Sequence, residues 1–512
     1  MKKLLTLPMY PFLIAAYSVI ALLAFNISEV NAGIAVRPLI VMLAGCGVLF
    51  ACMRLIFKNW QKAGLITGIW IFLFIIYGHL YHYLENTSFV NGSLGRHRII
   101  LPVFLLMAGA SLFLVWRRKM VSDRISQVIN ILGIFLLIYP SFHLVNSIIT
   151  SEKGQKEASQ WTFSQPALQP VNPENLPDVY YIVLDTYTSS KALARDFSFD
   201  NSEFEAKLKE MGFYVAECSQ TNYPYTQGAI TATLNLDYLP ELTKRLETIN
   251  AEDNIWVLLK QSLVRNQLER LGYQTVAFET SYDWSRIEDA DIYLGQAQSA
   301  LLWQQMDPFE KMWVDSTALL VLSDVGIVTR KEDDNILNHP MSDHIQKQLF
   351  VLKTLPDIAN NPDPTFTFAH ILIPHVPYVF AADGTILTDN GFFGTEKAGP
   401  INEDYLQKGY TGEIAFINKQ MESILSKILA RSDTPPIIVL MGDHGVRDDN
   451  RVKILYAVYL PDGADNLMYP SITPVNTFRV IFDRYFGTSY GLLPDITYPE
   501  EGGEMVVPTV CE

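Results

Sequence analysis

Five apolar stretches crowd the first 150 residues, at roughly 7–25, 38–57, 64–84, 99–116 and 128–146. Each is close to the roughly 20 residues that an α-helix needs to cross the hydrocarbon core of a bilayer. Helices this apolar over this length have no polar face to show water, so a soluble bundle is a poor host for them. The first stretch follows Lys2 and Lys3 in the manner of a signal peptide, but no small-residue cleavage site follows it cleanly and four further stretches come after it. It is read as a retained span. Tyr77, Tyr81, Tyr83 and Trp116 fall near stretch ends, where amphipathic rings settle at the membrane–water boundary.

Charge orients these spans. Residues 1–150 hold 12 of the 39 Lys/Arg but only 3 of the 54 Asp/Glu, a balance of +9 against −24 for the remainder. The basic residues gather at alternate ends: Lys2 and Lys3, then Arg54, Lys58 and Lys62, then Arg117, Arg118, Lys119 and Arg124. The opposite loops offer only Arg37, Arg96 and Arg98. By the positive-inside rule the N-terminus is cytoplasmic, and five crossings put everything after residue 147 outside, in a periplasmic or extracellular space. The acidic outer part repels polyanions, which excludes nucleic acid as a partner and leaves membrane lipids as the natural ones. Of four cysteines, Cys46 and Cys52 lie in an apolar run as lipid-facing or packing residues. Cys218 and Cys511 lie in the polar part, where an oxidising compartment would permit a disulfide between them.

The chain is therefore expected to comprise a transmembrane domain over 1–149, a linker over 150–176 and an outer domain over 177–512. The linker assignment rests on a polar, proline-bearing composition without sustained period. Beyond it, short apolar runs alternate with helical patterns: DVYYIVL (178–184), TVAFE (275–279), FTFAHILI (366–373), PIIVLM (436–441) and ILYAVYL (454–460). Between the last pairs lies 410–430, where Ile414, Ile417, Met421, Ile424 and Ile428 recur at helical spacing. Continuous apolar strands alternating with helices predict an α/β sandwich, a mostly parallel sheet with helices on both faces.

In such sheets ligands bind beyond the carboxyl ends of the strands. Two runs end there in acid. DVYYIVL runs into Asp185, and PIIVLM runs through Gly442 into Asp443 and His444, with Gly445 to ease the exit. Two carboxylates and an imidazole at one crevice suit a divalent metal, the oxygens as hard ligands and the nitrogen favouring zinc or manganese, with magnesium or calcium also open. In TNYPYTQGAITATLNL (221–236), Pro224 opposes helix before it and the small residues after it favour helix. Thr226 thus falls near a helix N-terminus, either as a plain cap or as a hydroxyl activated by a metal and the helix dipole. His370 and His375, in FAHILIPHVPYVF, flank another strand end and could hold a phosphoryl oxygen or protonate a leaving group, His375 the better placed. Arg447 and Arg479 are candidate anion contacts, or else solvated surface arginines.

The stretches PDVYYIVLDTY (177–187), SQTNYPYTQGAITATLNLDYL (219–239), FTFAHILIPHVPYVF (366–380), IIVLMGDHG (437–445) and TPVNTFRVIFDRYFG (473–487) resemble, in that order, the alkaline phosphatase superfamily in its sulfatase-like branch. Five spans ahead of such a domain also look like lipoteichoic acid synthases and lipid A phosphoethanolamine transferases. The resemblance implies one divalent metal ion on Asp185, Thr226, Asp443 and His444, with Thr226 as nucleophile and His370 and His375 near the transferred group. It departs from the sulfatases proper, whose nucleophile sits in a C/S-x-P-x-R context absent here, and from the two-metal phosphatases, whose further Asp and His set has no counterpart.

The reading that follows is a membrane-anchored, metal-dependent hydrolase or transferase of phosphoesters. It would work by ping-pong transfer through Thr226 from a phospholipid head group on the outer face of the inner membrane. The alternatives are a sulfuric ester hydrolase and an inactive relative that binds a lipid or partner through the same pocket. Gly487–Gly491 also matches the G-x-S-x-G of serine hydrolases, but an amphipathic helical pattern precedes it and no histidine follows His444.

Overall fold

The first part of the chain forms apolar helices where its apolar stretches lie, four of full membrane-crossing length and one shorter. The computed structural model describes residues 6–27, 30, 32–85, 88–89, 92–93, 96–119, 121–246, 251–280, 282–295, 308–324, 339, 341–394, 401–447, 451–463, 466–498 and 511. Lys2 and Lys3 lie outside the described residues. Among those described, four helices are long and apolar enough to cross a membrane: Ala32–Phe57, Trp60–Leu84, His97–Arg117 and Asp123–Ser164. The first expected span forms a helix only over Tyr10–Phe25, 16 residues. At 1.5 Å per residue that is about 24 Å, short of the roughly 30 Å of hydrocarbon. Pro8 and Pro11 explain the late start, since proline is tolerated in a first helical turn and not inside it.

Two compact units divide the chain: Met1–Ile149 with Ser299–Asp333, and Thr150–Gln298 with Asp334–Glu512. In the first unit, Asn130 ties one end of the bundle together. Its Oδ1 accepts the Met9 and Tyr10 N–H groups at 3.1 and 2.7 Å, and its Nδ2 donates to Leu7 O at 2.7 Å. At the same end Gln61 donates to Thr6 O and Ser126 donates to Gln61. The 299–333 excursion packs against the rest of this unit through the helix Pro308–Asp315, whose Phe309, Trp313 and Val314 share a core with Ala15, Val19, Met42 and Ile71. Arg37 forks onto Glu310, and Ala318 N–H donates to Phe74 O at 2.8 Å. The outer domain was expected to run unbroken from 177; instead the chain returns to the helical unit midway. The expected linker differs too, for the helix from Asp123 runs on to Ser164. SEKGQKEASQ is rich in helix-favouring Glu, Lys, Gln and Ala, and extending a helix already nucleated is cheap until Pro166 forbids it.

The second unit is built on a seven-stranded sheet. Its strands are β1 (Val179–Leu184), β2 (Tyr214–Val215), β3 (Gln274–Phe278), β4 (Ile292–Leu294), β5 (Thr365–Ile371), β6 (Ile437–Gly442) and β7 (Tyr456–Tyr459). Their order is β2-β7-β6-β1-β5-β3-β4, parallel except that β7 runs antiparallel to β6 and β2. Every residue of β1, β5 and β6 is buried, as the unbroken apolar runs require. One face carries Tyr180, Ile182, Leu184, Ile438 and Leu440 and packs on the helix Glu403–Arg431 through Ile414, Ile417, Met421, Ile424 and Ile428. The other carries Tyr181, Val183, Phe368, Val439 and Met441 and packs on the helix Thr226–Asn235 through Ile230 and Leu234. Burying each such large apolar side chain is worth about 1.5–3 kcal/mol. Cys218 and Cys511 form a disulfide, with Cα atoms 5.4 Å apart; Cys46 is buried and Cys52 exposed.

Candidate metal centre

Register brings the acids together. β1 pairs in parallel with β6, Leu184 opposite Gly442, so the next residues, Asp185 and Asp443, leave the sheet at one level. On the other side β1 pairs with β5, Val183 opposite His370. Side chains alternate along a strand, so Val183, Asp185, His370, Met441 and Asp443 point to the same face. That is the face covered by the helix Thr226–Asn235.

Asp185, Asp443 and His444 are all buried and each offers a ligand atom within 4.8 Å of the others. His444 Nε2 lies 3.5 Å from Asp443 Oδ2 and 3.3 Å from Thr226 Oγ1. His444 Nδ1 lies 2.9 Å from Gly445 O, which can only accept, so Nδ1 carries the proton and Nε2 presents its lone pair to the centre. Thr226 is the first residue of its helix, after an extended Tyr225 at the N-cap, and is half-buried.

The polar atoms left over fit a cation. Asp443 Oδ1 accepts the Thr186 and His444 N–H groups, both at 2.8 Å, and Oδ2 has no hydrogen-bond partner among the described residues. Asp185 Oδ1 is likewise buried and, among the described residues, has no hydrogen-bond partner. Two buried anionic oxygens left bare are costly unless a cation faces them. Two donors on one tetrahedral zinc, with bonds of about 2.0 Å, sit about 3.3 Å apart, which matches the Thr226–His444 spacing.

The loop after β1 holds this arrangement under strain. Thr186 has φ of +62°, a left-handed conformation rare for a β-branched residue. Tyr410 holds it there: its hydroxyl donates to Thr186 O at 2.7 Å and accepts the Thr188 N–H at 3.2 Å. The loop then crosses β6 so closely that a Cβ on Gly442 would lie 2.1 Å from Tyr187 O. The glycine that the motif demands is therefore Gly442. Gly445, expected to ease the exit, is not left-handed.

His370 is buried, with Nε2 3.3 Å from Asp185 Oδ2 but out of hydrogen-bonding alignment, and its ring lies 5.7 Å from that of Trp284. His375, half-buried, bonds Val376 O through Nδ1, which leaves Nε2 free to carry a proton. Burial pushes the Asp185 carboxyl up, but His375, His370 and His444 around it outweigh that and hold it below the usual carboxylate range. Neither arginine is free surface charge. Arg447 pairs with Glu403. Arg479 is buried and donates to Leu236 O, Tyr490 O and Gly491 O. Asp483 takes the N–H groups of Tyr490 and Gly491 and the Thr488 hydroxyl, which makes Gly487–Gly491 a braced turn and not a nucleophile elbow. Sequence reasoning missed the bracing roles of Tyr410 and Thr186. Thr186 sat in the stretch 177–187, and Tyr410 opened the helical segment 410–430.

No protein-family model matches this sequence, and no curated protein matches it. Among solved structures, the chain is similar to the C-terminal periplasmic domain of EcEptC from Escherichia coli in complex with Zn, at 12% identity and TM-score 0.42, covering 67% of this chain and 96% of that one. It is similar to the integral membrane lipooligosaccharide phosphoethanolamine transferase A of Neisseria meningitidis at 11% identity and TM-score 0.38, covering 94% and 95%. It is also similar to the phosphonate monoester hydrolase of Agrobacterium radiobacter at 13% identity and TM-score 0.37, covering 64% and 78%.

Proposed function

We propose that the chain is a membrane-anchored, metal-dependent phosphoester transferase or hydrolase, with Thr226 as nucleophile and a phospholipid head group as donor. The observation that carries this is a half-buried threonine hydroxyl 3.3 Å from an imidazole lone pair, beside two buried carboxylates with bare oxygens. Asp185, Asp443, His444 and Thr226 would hold one divalent ion, zinc or manganese suiting the mixed nitrogen and oxygen donors best. Bound there, the ion would lower the hydroxyl pKa and neutralise charge on the phosphoryl oxygens.

The chain's own groups supply the rest. Thr226 Oγ, as the oxyanion after losing its proton to water, attacks phosphorus; the P–Oγ bond forms and the bond to the leaving oxygen breaks. His375 Nε2 gives that oxygen a proton. Water or an acceptor hydroxyl then takes the group from phosphothreonine.

The orientation with the N-terminus in the cytoplasm has support within the helical unit. Thr6, Gln61 and Ser126 meet at one end, the end next to Lys58, Lys62 and Arg124. Arg37, Phe74 and Gly78 meet the returning 308–324 segment at the other. That segment belongs to the chain beyond residue 150, so its end of the bundle is read as the outer one.

The test is full-length protein in vesicles of phosphatidylethanolamine and phosphatidylglycerol labelled in their head groups, quenched in acid and digested. The expected result is a head-group adduct on the Thr226 peptide, and a fall in turnover on the order of 10³-fold or more in Thr226→Ala. Wild-type rates in that variant would remove the nucleophile.

A further inference from the structure

A helix beside the crevice presents a histidine that this reaction has not used. In the helix Ser342–Thr354, Gln348 Oε1 accepts the Leu372 N–H at 2.8 Å, just past the end of β5. Lys347 on the same helix reaches Glu279, just past the end of β3, at 3.5 Å. The helix thus spans the carboxyl ends of β5 and β3. His344 precedes Gln348 by four residues, so it stands one turn away on the same face. Its Nε2 is buried and has no hydrogen-bond partner among the described residues. Burial first, and then the charge of His375, push its imidazole down to about 4, while Asp185 acts on it in the opposite sense. His344 is therefore a neutral base at neutral pH, within electrostatic reach of both.

Strand order says which side of the reaction this is. Thr226 touches His444, beyond β6; Asp185 follows on β1, then His370 and the His375 loop on β5, then β3. His344 lies on the β5–β3 side, across Asp185 from the nucleophile. Attacking and leaving oxygens sit roughly in line in phosphoryl transfer, so the group that Thr226 expels departs toward His375 and His344. The acceptor of the second step enters where the first leaving group left.

We propose that His344 is the base of the second half-reaction, taking the proton from the acceptor hydroxyl or water through Nε2. This rests on the phosphoester reading above. In the first half-reaction His375 gives a proton to the leaving oxygen. In the second, the acceptor O–H proton passes to His344 as the acceptor O–P bond forms and the P–Oγ bond breaks, returning Thr226 as the oxyanion. Transfer of that proton from His344 to His375 closes the cycle with every proton placed.

The probe is bis-p-nitrophenyl phosphate with metal-loaded, full-length protein. His344→Gln should keep the initial burst of p-nitrophenol, one equivalent per site, and lose on the order of 10²–10⁴-fold in the steady rate that follows. The phosphorylated Thr226 peptide should accumulate in that variant. His344→Ala, which leaves room for a small base, should recover at least about ten-fold of the steady rate with added imidazole. Burst and steady rate falling together, or neither changing, would overturn the role of His344 alone. A wild-type protein with bound metal that releases no p-nitrophenol would overturn the phosphoester reading itself, and His344's role with it.

Discussion

Glu310 in the helical unit and the pair Asp185 and Asp443 in the sheet unit are all buried carboxylates, yet they meet opposite fates. Glu310 receives the forked guanidinium of Arg37, a geometry that satisfies both oxygens. Asp185 and Asp443 each keep one oxygen bare. Glu413, in the same unit, shows a third outcome: its Oε1 accepts the Val379 and Phe380 N–H groups and its Oε2 has no partner among the described residues, but it stands apart from any second carboxylate or imidazole of the cluster, and burial pushes its carboxyl well above the usual range. Of these carboxylates only Glu310 has both oxygens satisfied. Among the described residues, only Asp185 and Asp443 bring their bare oxygens together beside an imidazole, with ligand atoms within 4.8 Å of one another, and it is this convergence that marks a candidate site.

The difference is sharpest at Asp443. Asp443→Asn keeps an oxygen for the Thr186 and His444 N–H groups but removes the bare anionic one. We expect the fold to persist and metal affinity to fall by about 100-fold or more, read as metal per protein after dialysis. Full occupancy would erase the contrast with Glu310. Glu310→Gln should leave metal content and turnover intact and cost about 1–3 kcal/mol of stability, less than a fully buried pair would, because Arg37 remains half-exposed. An unchanged melting temperature in detergent would show the pair to be idle. The smallest effect is expected at Thr186→Gly. Its backbone N–H to Asp443 survives and the left-handed strain is relieved, so stability should shift by no more than about 1 kcal/mol with metal retained. Loss of metal there would mean that the threonine side chain, not the amide, braces the site.

The sheet was legible because its central strands are buried on both faces and so read as unbroken apolar runs. The same runs made the site legible, since Asp185 and Asp443 stand where apolar residues stop. Thr226 was legible through Pro224 and the small residues that follow. His344 carried no such mark: SDHIQKQLF is an ordinary amphipathic helix start, and only the locking of Gln348 to Leu372 turns its face to the crevice. The membrane criterion, a length test, accepted a first span that two prolines shorten and passed over FEKMWV, too short to span yet packed among spans. Composition misjudged 150–164, where polarity was read as looseness although the residues favour helix.

The return of the 299–333 segment to the helical unit means that the chain crosses between units three times. A protease cut within 165–176 would therefore not shed the sheet unit, which would stay attached through the second and third crossings. A fragment beginning at residue 177 would carry Phe309, Trp313 and Val314 stripped of their neighbours, a greasy helix free to drive aggregation. Deleting 299–333 along with the spans is the route to a soluble form.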